Sequence, residues 1–242
     1  MCPRTAGGPA WIVLPTYNEA ESIAAIVAAI RDVVAADTRV LIVDDSSPDG
    51  TGEIADRLAA AHPQVEVLHR PLKEGLGPAY LAGFRRALDG GAALIVEMDS
   101  DFSHDPTTVP RLIEAGEGAD LVIGSRYVAG GEVVDWGPLR RLISRGGSTY
   151  ARWVLGVPIR DLTGGFKCFR REVLEAIDLG AVKAKGYAFQ VELTYRAVQR
   201  GFRVVEVPIS FSDRQRGSSK MGRAIVVEAI WRVPLLRYGR QP

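Results

Sequence analysis

Short apolar runs alternate with longer segments of helical spacing through the first half of the chain. The runs are Trp11–Leu14 (WIVL), Val40–Val43 (VLIV), Val65–Leu68 (VEVL), Leu94–Val96 (LIV) and Leu121–Ile123 (LVI). Their length and β-branched content predict strands, and Ala20–Val34, Gly52–Ala61 and Gly77–Leu88 between them predict helices. Each unit repeats at about 25–30 residues, the size of a βαβ step, so the expected class is α/β with a mostly parallel, doubly wound sheet. The units share no motif, which excludes a solenoid.

After Tyr127 the pattern changes. Pro138–Leu155 has helical spacing with an expected interruption at Gly146-Gly147, and Gly165–Phe169 suggests a short strand. Phe189–Arg200 predicts a helix, Arg203–Phe211 alternates like a strand, and Ala224–Tyr238 is an amphipathic tail broken at Pro234. No Pro/Ser-rich linker separates the halves, so one domain is expected over residues 1–242.

Composition narrows the classes. The chain has 242 residues, 47% of them apolar, enough for a sizeable core. A formal charge of +1 argues against a general nucleic-acid binder, although Arg and Lys outnumber acids from Arg196 to Arg240 and leave room for a local anionic partner. No basic stripe with interleaved aromatics appears. Cys2 and Cys168 lie far apart without metal-ligand spacing. The opening stretch has only about five consecutive apolar residues, too few for a signal sequence, and no run approaches the roughly 20 needed to span a bilayer. A reduced, cytoplasmic protein that is not itself integral to a membrane is expected.

In an open parallel sheet, ligands bind beyond the carboxyl ends of the strands. The five predicted ends are all polar: Pro15–Glu19, Asp44–Gly50, Arg70–Gly77, Asp99–Asp101 and Gly124–Tyr127. Each has a plain structural reading. Thr16 or Asn18 can cap the next helix, and Asp44 and Asp45 can serve the Ser-Pro-Asp-Gly turn. Gly75-Leu76-Gly77 lacks the spacing of a Walker or dinucleotide loop. Asp105 before Pro106 reads as an N-cap with proline at the first helical position, and Glu97 as a strand residue that packs or faces solvent. Asp99 and Asp101 are two apart, so on strand-like backbone their carboxylates point the same way and can converge on one hard cation, Mg²⁺ or Mn²⁺. Without a metal they would repel. A polar loop with a helix cap remains the other reading.

Taken together, Leu14–Glu19 (LPTYNE), Ile42–Gly52 (IVDDSSPDGTG), Gly75–Tyr80 (GLGPAY), Glu97–Pro106 (EMDSDFSHDP), Gly124–Tyr127 (GSRY), Asp161–Phe166 (DLTGGF) and Phe211–Gly222 (FSDRQRGSSKMG) resemble inverting glycosyltransferase family 2. Within it the resemblance is to the polyprenol-phosphate (dolichol-phosphate) mannosyltransferases. It implies a GT-A fold, with a nucleotide-sugar half over about residues 10–125, an acceptor half over about 126–222 and a tail over 223–242. It also implies transfer of mannose from GDP-mannose to a polyprenol phosphate. Pro15, Tyr17 and Glu19 would frame the nucleoside, and Asp45 would meet the base with Val43 beside it. Asp99 and Asp101 would hold the cation, with Ser100 and Ser103 near it; other members can carry Gln at the place of Ser103. Arg214, Ser219 and Lys220 would close on the diphosphate, and Asp101, Arg126 and Arg214 carry the expected catalysis. Arg126, Arg140 and Ser144 would take the acceptor phosphate, whose charge removes the need for a strong general base. His62, His69 and His104 are accordingly expected in structural roles.

Pro138–Leu155 mixes Arg140, Arg141, Arg145 and Arg152 with Leu139, Leu142, Ile143 and Trp153, which suits either an interfacial helix or an ordinary surface helix. Together these readings imply a peripheral enzyme at the cytoplasmic face of a membrane, acting with a separate membrane-anchoring subunit or as the catalytic part of a larger system. A UDP-sugar transferase and a non-catalytic nucleotide-sugar-binding subunit are the alternatives.

Overall fold

Residues 8–182, 186–212 and 232–238 are described by the computed structural model. Each of the five apolar runs becomes a strand: β1 (Ala10–Thr16), β2 (Arg39–Asp44), β3 (Val65–His69), β4 (Leu94–Glu97) and β5 (Leu121–Ser125). The helices α1 (Ile23–Val33), α2 (Thr51–Ala61), α3 (Leu76–Asp89) and α4 (Val109–Gly118) connect them. β2 lies parallel to β1 and β3, while β4 lies parallel to β1 on its other side. The chain therefore winds outward to β3 and returns past β1, which creates a topological switch point at the carboxyl ends of β1 and β4. Just past β4, Ser100 Oγ donates to the Pro15 carbonyl of β1 at 3.2 Å and ties the two ends together.

The runs are continuously apolar because both faces of the sheet are covered. Trp11 and Val13 of β1 join one core with Leu41, Val43, Tyr80 and Phe84, whereas Ile12 and Leu14 join the other with Val40, Ile42 and the α1 residues Ile23, Ile26, Val27 and Ile30. Those four α1 positions follow the i, i+3, i+4, i+7 spacing of an amphipathic helix. On the opposite face α3 packs so closely that a Cβ at Gly83 would lie 2.3 Å from Val13 Cγ1, so this position takes only glycine. Phe84 is fully buried, with its ring centroid 5.7 Å from Tyr80 and 5.6 Å from Phe169. Truncating it to alanine would cost about 3–5 kcal/mol.

Past β5 come β6 (Glu132–Val133), α5 (Pro138–Leu155), β7 (Lys167–Arg170), α6 (Arg171–Ala176), α7 (Gly186–Gln199), β8 (Val204–Pro208) and β9 (Ser210–Phe211). β7 inserts antiparallel between β4 and β5, and β8 pairs parallel with β5. The result is a seven-stranded sheet in the order β3-β2-β1-β4-β7-β5-β8, while β6 and β9 form a separate parallel pair.

Several boundaries differ from the sequence expectation. α1 begins at Ile23 with Ser22 as its N-cap, so neither Thr16 nor Asn18 caps it. α5 runs unbroken through Gly146 and Gly147; glycine lowers helix propensity without removing a backbone hydrogen bond. The strand expected over Arg203–Phe211 divides at Ile209, whose N–H donates to the Ser125 carbonyl and whose carbonyl accepts from Glu132 N. α6 has no counterpart in the sequence expectation, because it follows β7 without a loop. Residues 232–238 are helical and include Pro234, where the tail was expected to break; residues 224–231 of the expected tail lie outside the described residues. Among the described residues, no helix is long and apolar enough to cross a membrane.

Candidate active site

β4 ends at Glu97, so Asp99 and Asp101 stand on a bent loop and strand alternation is not what places them. Hydrogen bonds do. Tyr80 donates its hydroxyl to Asp99 Oδ1 at 3.2 Å, and the Asp99 N–H donates to His104 Nδ1 at 3.2 Å. The Ser103 N–H donates to Asp101 Oδ1 at 3.0 Å. Asp105 accepts from Thr107 N at 2.9 Å and caps a single 3₁₀ turn at Pro106–Thr108, as expected of it. Asp101 and Ser103 are buried, and Ser103 Oγ has no hydrogen-bond partner among the described residues. No group of three or more His, Cys, Asp or Glu side chains suited to a metal gathers among the described residues.

His104 sits beneath this loop, stacked 4.7 Å from Phe166 and edge-on to Phe211 at 5.3 Å. Burial, helped by the Arg126 charge, outweighs the pull of Asp101 and lowers its imidazole to about 4. It is a neutral acceptor that shapes the loop. Burial, with the charges of Asp99 and Glu97 beside it, likewise raises the Tyr80 phenol well above its usual range.

At the ends of β1 and β2 the two adjacent aspartates part company. Asp44 serves the turn, accepting from Thr16 Oγ1 at 3.2 Å and from Ser47 Oγ at 2.6 Å. Asp45 pairs with Arg70, which also bridges to Glu74. Burial raises the Asp45 carboxyl in spite of that cation. Pro15 and Val43 are register partners, and Tyr17 follows with Lys73 Nζ 3.5 Å above its ring. Glu19 turns toward α1, where its carboxylate accepts from Ser22 Oγ at 3.1 Å. Pro15, Tyr17, Val43 and Asp45 thus share one end of the sheet. Arg70 and Lys73 were not singled out from the sequence, although their strand-end position was the available signal.

At the end of β5, Arg126 is buried against Asp161 of the loop that leads into β7. Asp161 accepts from Arg126 N at 3.0 Å, Nε at 2.7 Å and Nη2 at 2.7 Å, and Nη2 also donates to Thr163 Oγ1 at 2.9 Å. Burial opposes ionisation of Asp161, but the Arg126 guanidinium prevails and holds the carboxyl below its usual range. Phe211 lies 5.3 Å from the Arg126 guanidinium carbon and also touches His104, so one ring links the Asp99–Asp101 loop to Arg126. Tyr127 donates its hydroxyl to Ser144 Oγ at 2.7 Å. Arg140 stacks 4.1 Å over Trp136, and the cavity of about 620 Å³ beside Arg126 is lined instead by Arg141 and Arg145. Sequence reasoning named Arg126, Arg140 and Ser144; it assigned nothing to Asp161 or Trp136, although Asp161 opens the DLTGGF stretch.

Glu97 neither faces solvent nor packs as a spectator. It is fully buried opposite Lys167 of β7, its register partner, with Nζ 3.7 Å from Oε1. Lys167 also donates to Gln190 Oε1 at 2.6 Å and to the Gln190 carbonyl at 2.9 Å. Burial raises the Glu97 carboxyl to about 8 against the pull of Lys167, and lowers the lysine to about 8. Arg214, Ser219 and Lys220 lie outside the described residues.

Comparison with known proteins completes the picture. The chain is 51% identical over 227 residues to an undecaprenyl-phosphate mannosyltransferase of Micrococcus luteus, covering 94% of this chain and 92% of that one. It is 52% identical over 225 residues to a polyprenol monophosphomannose synthase of Mycolicibacterium smegmatis, covering 92% and 84%. Among solved structures, glucosyl-3-phosphoglycerate synthase of Mycobacterium tuberculosis, crystallised with Mn²⁺, UDP and glucosyl-3-phosphoglycerate, superposes with a TM-score of 0.70 at 22% identity, covering 94% of this chain and 81% of that one. That likeness identifies the sheet and its covering helices as the GT-A fold. The glycosyl transferase family 2 model matches residues 11–178, and with that match and those two relatives the chain belongs to glycosyl transferase family 2.

Proposed function

We propose that this glycosyltransferase moves mannose from GDP-mannose to a polyprenyl monophosphate with inversion, giving a polyprenyl β-mannosyl phosphate and GDP. One placement carries the reading. β4 and β5 both run antiparallel to β7, so their carboxyl ends share an edge, and there the Phe211 ring touches both Arg126 and His104, which accepts from the Asp99 N–H. The names of the two relatives, one a mannosyltransferase to undecaprenyl phosphate and the other a polyprenol monophosphomannose synthase, support the sugar and the acceptor class.

Asp99 and Asp101, with the orphaned Ser103 hydroxyl, fit a hard divalent cation such as Mg²⁺ or Mn²⁺, since all three offer oxygen and leave most of the shell to water and phosphate. When bound, the cation offsets charge on the departing diphosphate. Asp45, held by Arg70, faces the base, and Tyr17 with Lys73 frames the nucleoside. Arg214, Ser219 and Lys220 are assigned to the diphosphate on the sequence match. Arg126, fixed by Asp161, orients the acceptor phosphate. That phosphate is already anionic, so no residue has to take its proton, in keeping with a neutral, buried His104. The exposed Leu139, Leu142, Ile143 and Trp153 among the α5 arginines suit a membrane surface where the lipid resides.

The test supplies radiolabelled GDP-mannose or UDP-glucose with a polyprenyl phosphate, with and without EDTA. Lipid-linked mannose from GDP-mannose is expected, lost with EDTA, restored by Mg²⁺ or Mn²⁺ and absent from Asp101→Ala. Preference for UDP-glucose overturns the donor assignment, and no lipid product from either overturns the reaction.

A further inference from the structure

The loop that carries Asp101 and Ser103 turns on an unusual residue. Phe102, between them, has a φ of +61°, a left-handed backbone that a bulky side chain rarely adopts. This turn folds Ser103 back so that its N–H donates to Asp101 Oδ1 at 3.0 Å. Both side chains end up buried, with Ser103 Oγ lacking a hydrogen-bond partner among the described residues. A strained residue persists only where its surroundings hold it, and here the holding groups come from 110 residues away. Ser212 Oγ donates to the Phe102 carbonyl at 3.3 Å, and the Ser212 N–H donates to the Ser103 carbonyl at 3.3 Å. The preceding residue, Phe211, forms an antiparallel bridge with His104. Its ring lies edge-on to His104 at 5.3 Å and to Trp136 at 5.4 Å, and 5.3 Å from the Arg126 guanidinium carbon. The segment is itself anchored: Ile209 N–H donates to the Ser125 carbonyl at 3.1 Å, and Val134 N–H to the Phe211 carbonyl at 2.8 Å.

We propose that Phe211 and Ser212 are positioning residues for the transfer reaction. Ser212 holds the Phe102 turn in the form that presents Asp101 and Ser103 to the divalent cation, and Phe211 sets Arg126 relative to that loop. The inference rests on the cation and acceptor assignments above and goes beyond them. Of the two bonds from Ser212, the N–H survives any substitution, so the hydroxyl is the part a variant can remove. Losing it slackens the turn and is felt at the cation alone. The Phe211 ring touches both groups, so its loss is felt at the cation and at the acceptor phosphate together.

Two constants test the assignment. Binding of Mn²⁺ alone is titrated by electron paramagnetic resonance, and the acceptor KM is measured with GDP-mannose and a polyprenyl phosphate at saturating Mn²⁺. Ser212→Ala is expected to weaken Mn²⁺ binding about three- to tenfold, the worth of one hydrogen bond, with the acceptor KM unchanged. Ser212→Thr keeps the hydroxyl and should bind Mn²⁺ within about twofold of wild type. Ser210→Ala, at an exposed position on the same strand, is the matched control and should equal wild type. Phe102→Asn supplies a residue at ease with positive φ, and in that background the Ser212→Ala loss should shrink below about twofold. Phe211→Leu should weaken Mn²⁺ binding and raise the acceptor KM together, each by about threefold or more. Undiminished Mn²⁺ affinity in Ser212→Ala overturns the role of Ser212. So does an equal loss in Ser212→Thr, in Ser210→Ala, or from Ser212→Ala in the Phe102→Asn background. A Phe211→Leu variant that moves only one of the two constants overturns the link to Arg126. Wild-type protein that binds Mn²⁺ no better than Asp101→Ala refutes the cation reading beneath the inference, a result distinct from all of these.

Discussion

Asp161→Asn removes the charge that fixes Arg126 while changing almost no volume. The carboxylate accepts three hydrogen bonds from Arg126, at 3.0, 2.7 and 2.7 Å, and neither side chain is exposed enough for solvent to screen the pair. Asparagine keeps one acceptor oxygen and turns an NH₂ group toward N–H donors in place of the other. Breaking one side of a buried ion pair costs about 3–5 kcal/mol, because the remaining charge stays buried without compensation. For a domain of this size each kcal/mol shifts Tm by about 2–4 °C, so a fall of roughly 6–20 °C is expected by calorimetry. The sign with pH follows from Asp161's lowered native pKa. Its contribution is full above the unfolded carboxylate value of 3.8 and fades only as pH drops through the lower native value, so the deficit should be constant from pH 5 to 8.

Function separates this role from mere packing. With Arg126 free to reorient, the acceptor KM should rise at least tenfold while the KM for the sugar nucleotide stays put. Replacing both partners with leucine should restore part of the stability, since a buried pair exchanges for apolar groups at little cost, yet restore no transfer. A Tm within about 2 °C of wild type together with an unchanged acceptor KM would refute the reasoning.

Glu97→Gln resembles the protonated acid that burial favours, so near pH 4 its stability in urea should stay within about 1 kcal/mol of wild type. Between pH 4.5 and 8 the native acid keeps a proton that the unfolded chain releases, so wild type should lose stability relative to the variant as pH rises through that window. His104→Asn keeps an acceptor for the Asp99 N–H and removes a titration. In metal-free wild type the unfolded imidazole takes a proton below 6.5 that the native one refuses until about 4, so stability should fall by about 3 kcal/mol across that window and by much less in the variant. Tyr80→Phe deletes the hydroxyl on Asp99 and should weaken Mn²⁺ binding about tenfold in a titration followed by electron paramagnetic resonance, with Tm nearly unchanged.

The strands were legible because a segment buried on both faces has to be apolar throughout, and the strand-end rule then pointed to Asp45, Asp99 and Arg126 without any pairing information. What escaped depends on contacts between distant segments. β7 reads Lys-Cys-Phe-Arg, with a charge at each end, yet Lys167 is fully buried because register sets it opposite Glu97. Neither residue alone announces that pairing. The arginines of α5 failed differently: neighbours on a helix diverge by about 100°, so Arg140 stacks on Trp136 while Arg141 turns into the cavity. Residue type was readable there, and direction was not.

β7 also explains how the carboxylate loop and Arg126 are held in register. A parallel strand brings its trailing loop to the carboxyl edge of the sheet, whereas an antiparallel strand brings the loop that leads into it. The pairing of Lys167, the first residue of β7, with Glu97 and Ile123 puts the preceding segment from Asp161 to Phe166 at that edge, between the ends of β4 and β5. At one end of this segment Asp161 clamps Arg126, and at the other Phe166 stacks on His104, which holds the Asp99 N–H. Six consecutive residues therefore brace the carboxylate loop and Arg126 together. Their separation is set by covalent backbone in this loop, and the inverting displacement proposed above would need such a fixed distance, because the acceptor oxygen and the departing diphosphate must lie on opposite sides of one sugar carbon.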